Sequence, residues 1–384
     1  MARLIFVTGS LSPGGAERHS VSVMRRLAER GHQCHAVSVK PPRGPGVRLP
    51  GSGTLRSLHA SGYLDVSAVM DFAAHISGIR PTAIVAANAY ALMYAWLALR
   101  LSRPRAALMV TYHSNQLLTI KERLQMLLYR LFFRTADCSV FVCHTQRRYW
   151  ERRGVYSRRN EVIYNGVDTD AFRDRWSAEE RLALRCALGF SEADYVIGLS
   201  ALLRPEKNHV QLVDAVARLR SMGISARVLM IGDGETRAAI EARARTLGVS
   251  NRIAITGLKE DVRPYVAACD VMVLCSLAET FSLAAIEAMA LSRPVVHSDV
   301  GGAAEMIAPG KTGFLFPACD TEAFVEKLAI LADRAVSRQM GREARATVET
   351  LFSEKTMVDR YERTLEEICA AVHPEHADRI NATH

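Results

Sequence analysis

The stretch RLIFVTGSLSPGGAERHSVSVMRRLAERGHQCHAVSV, Arg3 to Val39, decides the fold class. Arg3–Thr8 is an apolar run of strand length that ends in a glycine- and serine-rich turn. Ala16–Arg30 sets Val21, Val23, Met24, Leu27 and Ala28 near helical spacing, and Cys34–Val39 is apolar again. Strand, helix and strand in this order predict a βαβ unit, whose two strands are parallel because a helical crossover joins them. Past the Gly- and Pro-rich segment Pro41–Gly53 the alternation resumes, with strands predicted at Ala83–Ala87, Ala107–Thr111 and Cys138–Val142 and a helix over Ala91–Leu101. It breaks near Asn165-Gly166 and restarts at Tyr195–Ser200. Further strands are predicted at Arg227–Ile231, Arg252–Ile255, Val271–Leu274, Pro294–His297 and Gly313–Phe316. The reading is α/β, with two Rossmann-like parallel-sheet domains over residues 1–167 and 168–352 and a terminal segment 353–384 that holds a helix over Ser353–Val372. A linker is expected between Val167 and Gly189, and a polar tail after Ala371. Parallel sheets bind ligands beyond the carboxyl ends of their strands, so a cleft between the two domains is the expected site.

Composition narrows the class. The chain has 384 residues, 49% of them hydrophobic, enough for large cores without disulfides or metal. The longest mostly apolar stretch, Ala83–Leu101, contains Asn88 and Arg100 and splits into a strand and a helix, so no spanning helix is expected. The apolar run at the start is too short for the core of a signal peptide, and a cytoplasmic protein is expected. Most of the eight cysteines sit in apolar runs without paired metal-ligand spacing, which predicts buried, reduced thiols. Net charge is +9, but residues 1–170 carry 23 Lys+Arg against 10 Asp+Glu, and the rest 26 against 30. The basic half can face nucleic acid, anionic lipid or a phosphorylated substrate, and its sign does not choose among them.

Four places could carry chemistry. Gly9 to Gly15 runs from the first strand into a helix, so N–H groups at Gly14 and Gly15 could approach a phosphate; the alternative is a turn that only reverses direction. The loop matches neither GxGxxG nor a P-loop. Glu279-Thr280-Phe281-Ser282-Leu283-Ala284-Ala285-Ile286-Glu287 sets two carboxylates eight positions apart around a helix start, with N–H groups at Phe281, Ser282 and Leu283 suited to an anion. A surface helix with solvated glutamates leaves the apolar sequence around Glu287 unexplained. Arg204-Pro205-Glu206-Lys207-Asn208 places two cations just after a strand, where they suit a diphosphate leaving group; a solvated turn is the competing reading. His113 follows a strand of the first half and is either a site residue or a satisfied core or loop histidine. Asp168-Thr169-Asp170 imitates a metal-binding Asp-x-Asp, but it lies at the linker, and no metal is expected.

Together these residues resemble the retaining glycosyltransferases of family 4, which have the GT-B fold. The resemblance covers nearly the whole chain: Gly14-Gly15-Ala16-Glu17, Asn165-Gly166-Val167-Asp168 through Phe172, Arg204 to Asn208, Gly232-Asp233-Gly234, Glu279 with Glu287, Gly301-Gly302, and Gly310-Lys311-Thr312-Gly313-Phe314-Leu315. It implies His113, Arg204, Lys207 and Glu279 as the catalytic group. Glu279 would hold donor-sugar hydroxyls, Arg204 and Lys207 would grip the diphosphate, and His113 would lie near the reacting sugar. Gly14, Gly15, Gly232, Leu258, Lys259, Phe281, Ser282, Leu283 and Glu287 would bind the donor, Glu287 through the ribose and Gly257-Leu258-Lys259 at the base. Ser282 stands where the family motif often has glycine. The resemblance also implies that the terminal helix crosses back onto the first domain.

The activity so implied is metal-independent transfer of a hexose or N-acetylhexosamine, with retention, from a nucleoside-diphosphate sugar to a glycan or lipid-linked acceptor in surface-polysaccharide synthesis. Uridine diphosphate is favoured over guanosine diphosphate on family frequency, and no cofactor is expected. For the basic half we expect either contact with an anionic membrane, through Lys121–Arg134 and Arg147–Arg159 on the inner face of the plasma membrane, or a helix whose Leu124, Leu127, Leu128 and Leu131 are core. Two rivals remain. A sugar-nucleotide epimerase on the same architecture would form no new glycosidic product. A non-enzymatic nucleic-acid or membrane module would leave Glu279, Glu287, Arg204 and Lys207 unexplained, so no nucleic-acid partner is expected.

Overall fold

The βαβ unit over Arg3–Val39 forms as its pattern dictates: β1 (Arg3–Thr8) and β2 (Gln33–Ser38) pair in parallel, with the helix Gly15–Glu29 between them. The computed structural model describes residues 1–10, 15–41, 54–113 and 120–373. The polar tail expected after Ala371 therefore lies almost wholly outside the described residues.

The first sheet adds β3 (Leu55–Ser57), β4 (Ala83–Ala86), β5 (Ala107–Tyr112), β6 (Cys138–Phe141) and β7 (Arg159–Val162) in the order β3-β2-β1-β4-β5-β6-β7. The second contains β8 (Tyr195–Ser200), β9 (Ala226–Ile231), β10 (Ile253–Ile255), β11 (Val271–Leu274), β12 (Val295–Ser298) and β13 (Gly313–Phe316) in the order β10-β9-β8-β11-β12-β13. All of these pairs are parallel. The central strands β4, β5, β6 and β11 are buried along their whole length, as strands covered on both faces must be.

Two strands, β3 and β7, were not expected. Their sequences, Leu-Arg-Ser and Arg-Asn-Glu-Val, lack the apolar run that marks a buried strand, because both lie at sheet edges. The stretch expected as linker holds a helix, Ala178–Ala187, closed at its start by a capping box between Ser177 and Glu180.

The chain divides into two compact units, Met1–Tyr164 with Met357–His384, and Asn165–Thr356. The helix Glu354–Val372 places Met357, Val358, Tyr361, Leu365 and Ile368 in one core with Leu4, Phe6, Val85, Met109 and Val140 of the first sheet. Its Asp359 and Glu362 also bind Arg30, the latter at 2.5 Å. In the second unit, the entering segment and the leaving segment lie side by side: Val167 N donates to Phe352 O and Glu354 N to Val167 O. Gly166 permits this approach, since a Cβ there would sit 2.7 Å from Ser353 O.

None of the eight cysteines is in a disulfide. Burial pushes the thiols of Cys34, Cys138 and Cys269 up to about 12, which leaves them unreactive; Cys186 and Cys319, unlike the rest, are exposed. Among the described residues no helix is long and apolar enough to cross a membrane.

Candidate functional site

In the second sheet the strand order turns around at β8: β9 and β10 are added on one side, then β11 begins on the other. The loops that leave β8 and β11 therefore diverge from neighbouring points and open a crevice at the carboxyl edge. Both loops bring candidate residues there. Lys207 Nζ donates to Glu279 Oε2 at 2.5 Å, and Ser276 Oγ donates to the same oxygen at 3.4 Å. Leu277 N binds Glu206 O at 2.8 Å, so the two loops are also joined through backbone. The ion pair is partly shielded from water, with side-chain exposure of 24% for Lys207 and 17% for Glu279.

Backbone geometry fixes each loop. Pro205 opens a short 3₁₀ turn, Pro205–Lys207, and Asn208 follows in the left-handed region at φ 49° before the helix His209–Ser221. The exit of β9 supports this loop from below. Leu203 N donates to Asp233 O at 3.0 Å, and a Cβ on Gly232 would lie 1.9 Å from Ala201 O. On the other side the Glu279 loop rests on Gly301-Gly302. Gly302 N donates to Thr280 O at 2.8 Å, and a Cβ on Gly301, at φ +60°, would lie 1.9 Å from Glu279 O. No side chain fits at either contact.

Two buried histidines flank the ion pair. Burial, reinforced by the Lys207 charge, pushes His209 down to about 4. Burial also lowers His297, whose Nδ1 lies 2.6 Å from Ser298 O, although Glu279 acts in the opposite direction. Both rings are therefore neutral near pH 7 and add no charge beside the ion pair. In the unfolded chain His209 titrates near its ordinary value, so between about pH 6.5 and about 4 the unfolded state binds a proton that the folded state refuses. Stability therefore rises with pH through that window and is lost as pH falls. The thermal midpoint should drop on acidification from about pH 7 to about pH 5, and His209→Leu should flatten the slope. A slope identical in the variant would remove His209 from this role.

The remaining second-unit candidates lie along the same carboxyl edge. Arg204 is more than half exposed and 4.0 Å from Glu206. Phe281 and Ser282 are buried, and Ser282 Oγ caps the helix Leu283–Ala290 by accepting from Ala285 N at 3.3 Å. Glu279 precedes that helix and Glu287 is just over one turn into it, so the two carboxylates do not share a helix face. Gly232 follows β9 and bridges to Gly257 after β10. Leu258 is exposed, and the Lys259 ammonium lies 5.3 Å from the centre of the Tyr265 ring. Asp168 Oδ1 accepts from the N–H groups of Asp170 and Ala171, the bonding of a turn. Among the described residues no group of three or more His, Cys, Asp or Glu is placed to hold a metal ion.

In the first unit, Gly15 is the first residue of its helix, and Gly14 lies outside the described residues. His113 follows β5, beside the point where that sheet reverses order between β1 and β4. Burial pushes its imidazole down to about 4, and its Nε2 has no hydrogen-bond partner among the described residues. Its ring meets His19 edge-on, with centroids 4.7 Å apart, and His19 Nε2 lies 2.9 Å from the Tyr361 hydroxyl.

His19, Tyr361, His209 and His297 are site neighbours that the sequence reading missed. Single histidines inside apolar or helical runs carry no spacing signal, and Tyr361 reaches His19 only because the last helix returns to the first sheet. Gly301 was noted as part of a motif, but its contact under Glu279 was not.

Two family models match in succession: the one described as Glycosyltransferase Family 4 over residues 13–171, and the one described as Glycosyl transferases group 1 over residues 181–347. The chain is similar to the lipopolysaccharide core biosynthesis glycosyltransferase LpsE of Rhizobium meliloti, 28% identical over 91% of this chain and 94% of the relative. It is also similar to EpsD of Bacillus subtilis, 32% identical over 58% of each chain, and to the N-acetyl-alpha-D-glucosaminyl L-malate synthase of Bacillus anthracis, 29% identical over 53% of this chain. The match spans 58% and 52% of the lengths of these last two relatives. Among solved structures, HepE of Anabaena in complex with UDP superposes with a TM-score of 0.82 at 21% identity, over 95% of this chain and 100% of that one. These likenesses carry the GT-B fold.

Proposed function

The chain belongs to the group 1 and family 4 glycosyltransferases of the GT-B fold, and from that premise we propose that it transfers a hexose or N-acetylhexosamine from a nucleoside-diphosphate sugar to a glycan or lipid-linked acceptor in surface-polysaccharide or lipopolysaccharide synthesis. The observation that carries this reading is the Lys207–Glu279 pair at the order reversal of the second sheet, with Arg204 on the same loop. Uridine diphosphate is the favoured carrier, a choice supported by the UDP complex of HepE.

In this reading, Arg204 and Lys207 bind the diphosphate, Glu279 accepts from donor-sugar hydroxyls, and Glu287 accepts from the ribose. N–H groups from Phe281 to Leu283, together with Gly15, face phosphate; Gly232, Leu258 and Lys259 frame the nucleoside. As the bond between the anomeric carbon and the phosphate oxygen breaks, positive charge grows on the sugar and negative charge on the leaving diphosphate. Cations already fixed at that place favour the transition state over the ground state. The acceptor oxygen bonds to the anomeric carbon on the face the leaving group vacates, which retains configuration, and its proton passes to the departing phosphate oxygen. Neutral His113 lies near the reacting sugar in this scheme, able to accept or donate a hydrogen bond without adding charge.

The charge on the leaving group is met by side chains, so we propose a metal-independent reaction. Turnover should be unchanged after treatment with EDTA, and restoration of a lost rate by added divalent cation would overturn this part. We place the protein in the cytoplasm, with its basic half toward an anionic membrane that presents the acceptor. A panel of nucleotide sugars, read first as protection against thermal unfolding and then as a new glycosidic product, tests the whole proposal. Interconversion of the donor sugar without a glycosidic product would favour an epimerase instead.

A further inference from the structure

The amino edge of the second sheet holds a pocket that no step of the transfer scheme uses. The turns that enter β8, β11 and β12 bring Glu192, Asp270 and Arg293 to it. The helix Ala178–Ala187 adds Arg181 and Arg185, and the helix Arg334–Leu351 adds Arg334 and Arg338. Lys207 and Glu279 follow β8 and β11, at the opposite end of the same strands. The pocket encloses about 330 Å³, within the range of about 300–1,000 Å³ that small-molecule sites occupy.

Five arginines line this pocket against three carboxylates, those of Asp174, Glu192 and Asp270. Asp174 serves two of the five: Arg181 Nη1 lies 3.1 Å from both of its oxygens, and Arg293 Nη2 lies 2.8 Å from Oδ2. Arg185 pairs with Asp270 at 2.9 Å and donates to the Ala268 carbonyl. Arg334 donates to the carbonyls of Glu192 and Asp194, and among the described residues neither it nor Arg338 has a carboxylate partner. Arg293 is held at a cost. Its side chain is only 15% exposed, and its Nε is buried without a hydrogen-bond partner. Burial pushes this guanidinium down from its ordinary value, Asp174 acts the other way, and the neighbouring Arg181 charge adds to the burial. Positive charge is thus left over in a partly desolvated place, where attraction to an anion is stronger than in open water.

We propose that this pocket binds a small phosphate monoester, with the phosphate among Arg181, Arg293 and Arg338 and a hydroxylated body against Ser292, Ser337 and Leu182. Guanidinium groups match phosphate oxygens in geometry and charge, and Arg293 has a donor to spare. A dianion balances the excess of arginines over carboxylates. An inorganic ion would satisfy that charge and leave most of the volume to water, whereas a monoester fills it and meets the serine hydroxyls and the apolar wall of Ala178 and Leu182. The site stands at the other edge of the sheet from the donor candidates, so it does not depend on the proposed transfer reaction.

Calorimetric titration of the full chain with ribose 5-phosphate, ribose and inorganic phosphate tests it with no glycosyl donor or acceptor present. Ribose 5-phosphate is expected to bind at one site, roughly tenfold or more tighter than inorganic phosphate, and ribose not at all. Arg181→Gln/Arg338→Gln should weaken that binding by roughly tenfold or more. Arg338→Glu, a change at an exposed side chain without a recorded partner, should do the same and carries the test if the double variant does not fold. Ala178→Trp fills the pocket without changing its charge and should also weaken binding of ribose 5-phosphate. Lys207→Ala, at the other edge, should leave it unchanged. Thermal unfolding of each variant checks that it folds. No binding of ribose 5-phosphate, or full binding by Arg338→Glu, would overturn the proposal. Equal affinity for inorganic phosphate and ribose 5-phosphate would reduce the site to one for an adventitious ion only, and loss of binding in Lys207→Ala with none in the arginine variants would move the ligand to the donor edge.

Discussion

Lys207→Ala is expected to lower kcat/KM by roughly 10²-fold or more, the scale of losing one preorganised partner of a developing charge. The loss should fall mainly on kcat, since the negative charge on the leaving diphosphate is greatest in the transition state. A second consequence follows from the 2.5 Å contact with Glu279. Removal of the ammonium takes away the counter-charge that lies 2.5 Å from Glu279 Oε2. A largely shielded carboxylate whose charge Lys207 no longer offsets then faces an incoming diphosphate, and the repulsion adds to the loss. Glu279→Ala alone should cost activity because donor hydroxyls lose their acceptor. The double variant, however, should lose far less than the product of the two single losses, because the carboxylate whose charge Lys207 offset is gone as well. Steady-state kinetics on the four proteins, with the affinity for the nucleoside diphosphate measured separately, completes the cycle. Unchanged turnover in Lys207→Ala would reject its assignment, and strict additivity would show that the contact between the two side chains plays no part in the reaction.

How much of this was legible in the sequence depends on the kind of signal each part leaves. Strands such as Tyr195–Ser200 and Val271–Leu274 were found at their full extent, because a strand buried on both faces is a continuous apolar run bounded by turn residues. Arg159–Val162 was not found. It is a polar edge strand, made a strand by pairing with Cys138–Phe141 and not by its own pattern. The site divides in the same way. Arg204, Lys207 and Glu279 could be found because charges directly after apolar strands stand out in sequence, and the parallel sheet then carries them to one edge. His209 and His297 could not, since their importance lies in burial beside an ion pair assembled from residues 72 positions apart. The helix Ile120–Thr135 shows a further limit: Leu124, Leu127, Leu128 and Leu131, for which core was one reading, are exposed, and Met126, Tyr129 and Phe133 fill the inward face. Helical spacing identifies both an inward and an outward apolar face, and only packing reveals which one the core has taken.

Gly301→Ala should lower kcat/KM by a factor on the order of 10² without touching any group that contacts substrate in the proposed scheme. Two costs meet at this position and can be separated. The first is conformational: φ is +60°, a region where a side chain costs roughly 1–2 kcal/mol. The second is steric, since the new Cβ would sit 1.9 Å from Glu279 O and 2.9 Å from Thr280 O. Both obstacles are backbone, so no side-chain rotation relieves them, and the loop that carries Glu279 must move by more than an ångström to reach ordinary contact distance, about 3.5 Å. That displacement draws the carboxylate away from Lys207 and tilts the N–H groups at Phe281 and Ser282, which follow on the same loop. Gly189→Ala serves as the control: its φ of +78° imposes a similar conformational cost, but nothing lies within 4 Å of the added Cβ. The two variants should therefore share a modest fall in thermal midpoint, with a further fall and the loss of turnover confined to Gly301→Ala. If both lose activity equally, backbone strain alone accounts for the effect and the seating of Glu279 on Gly301 does not; if neither does, the placement of Glu279 tolerates a shift that the proposed chemistry does not allow.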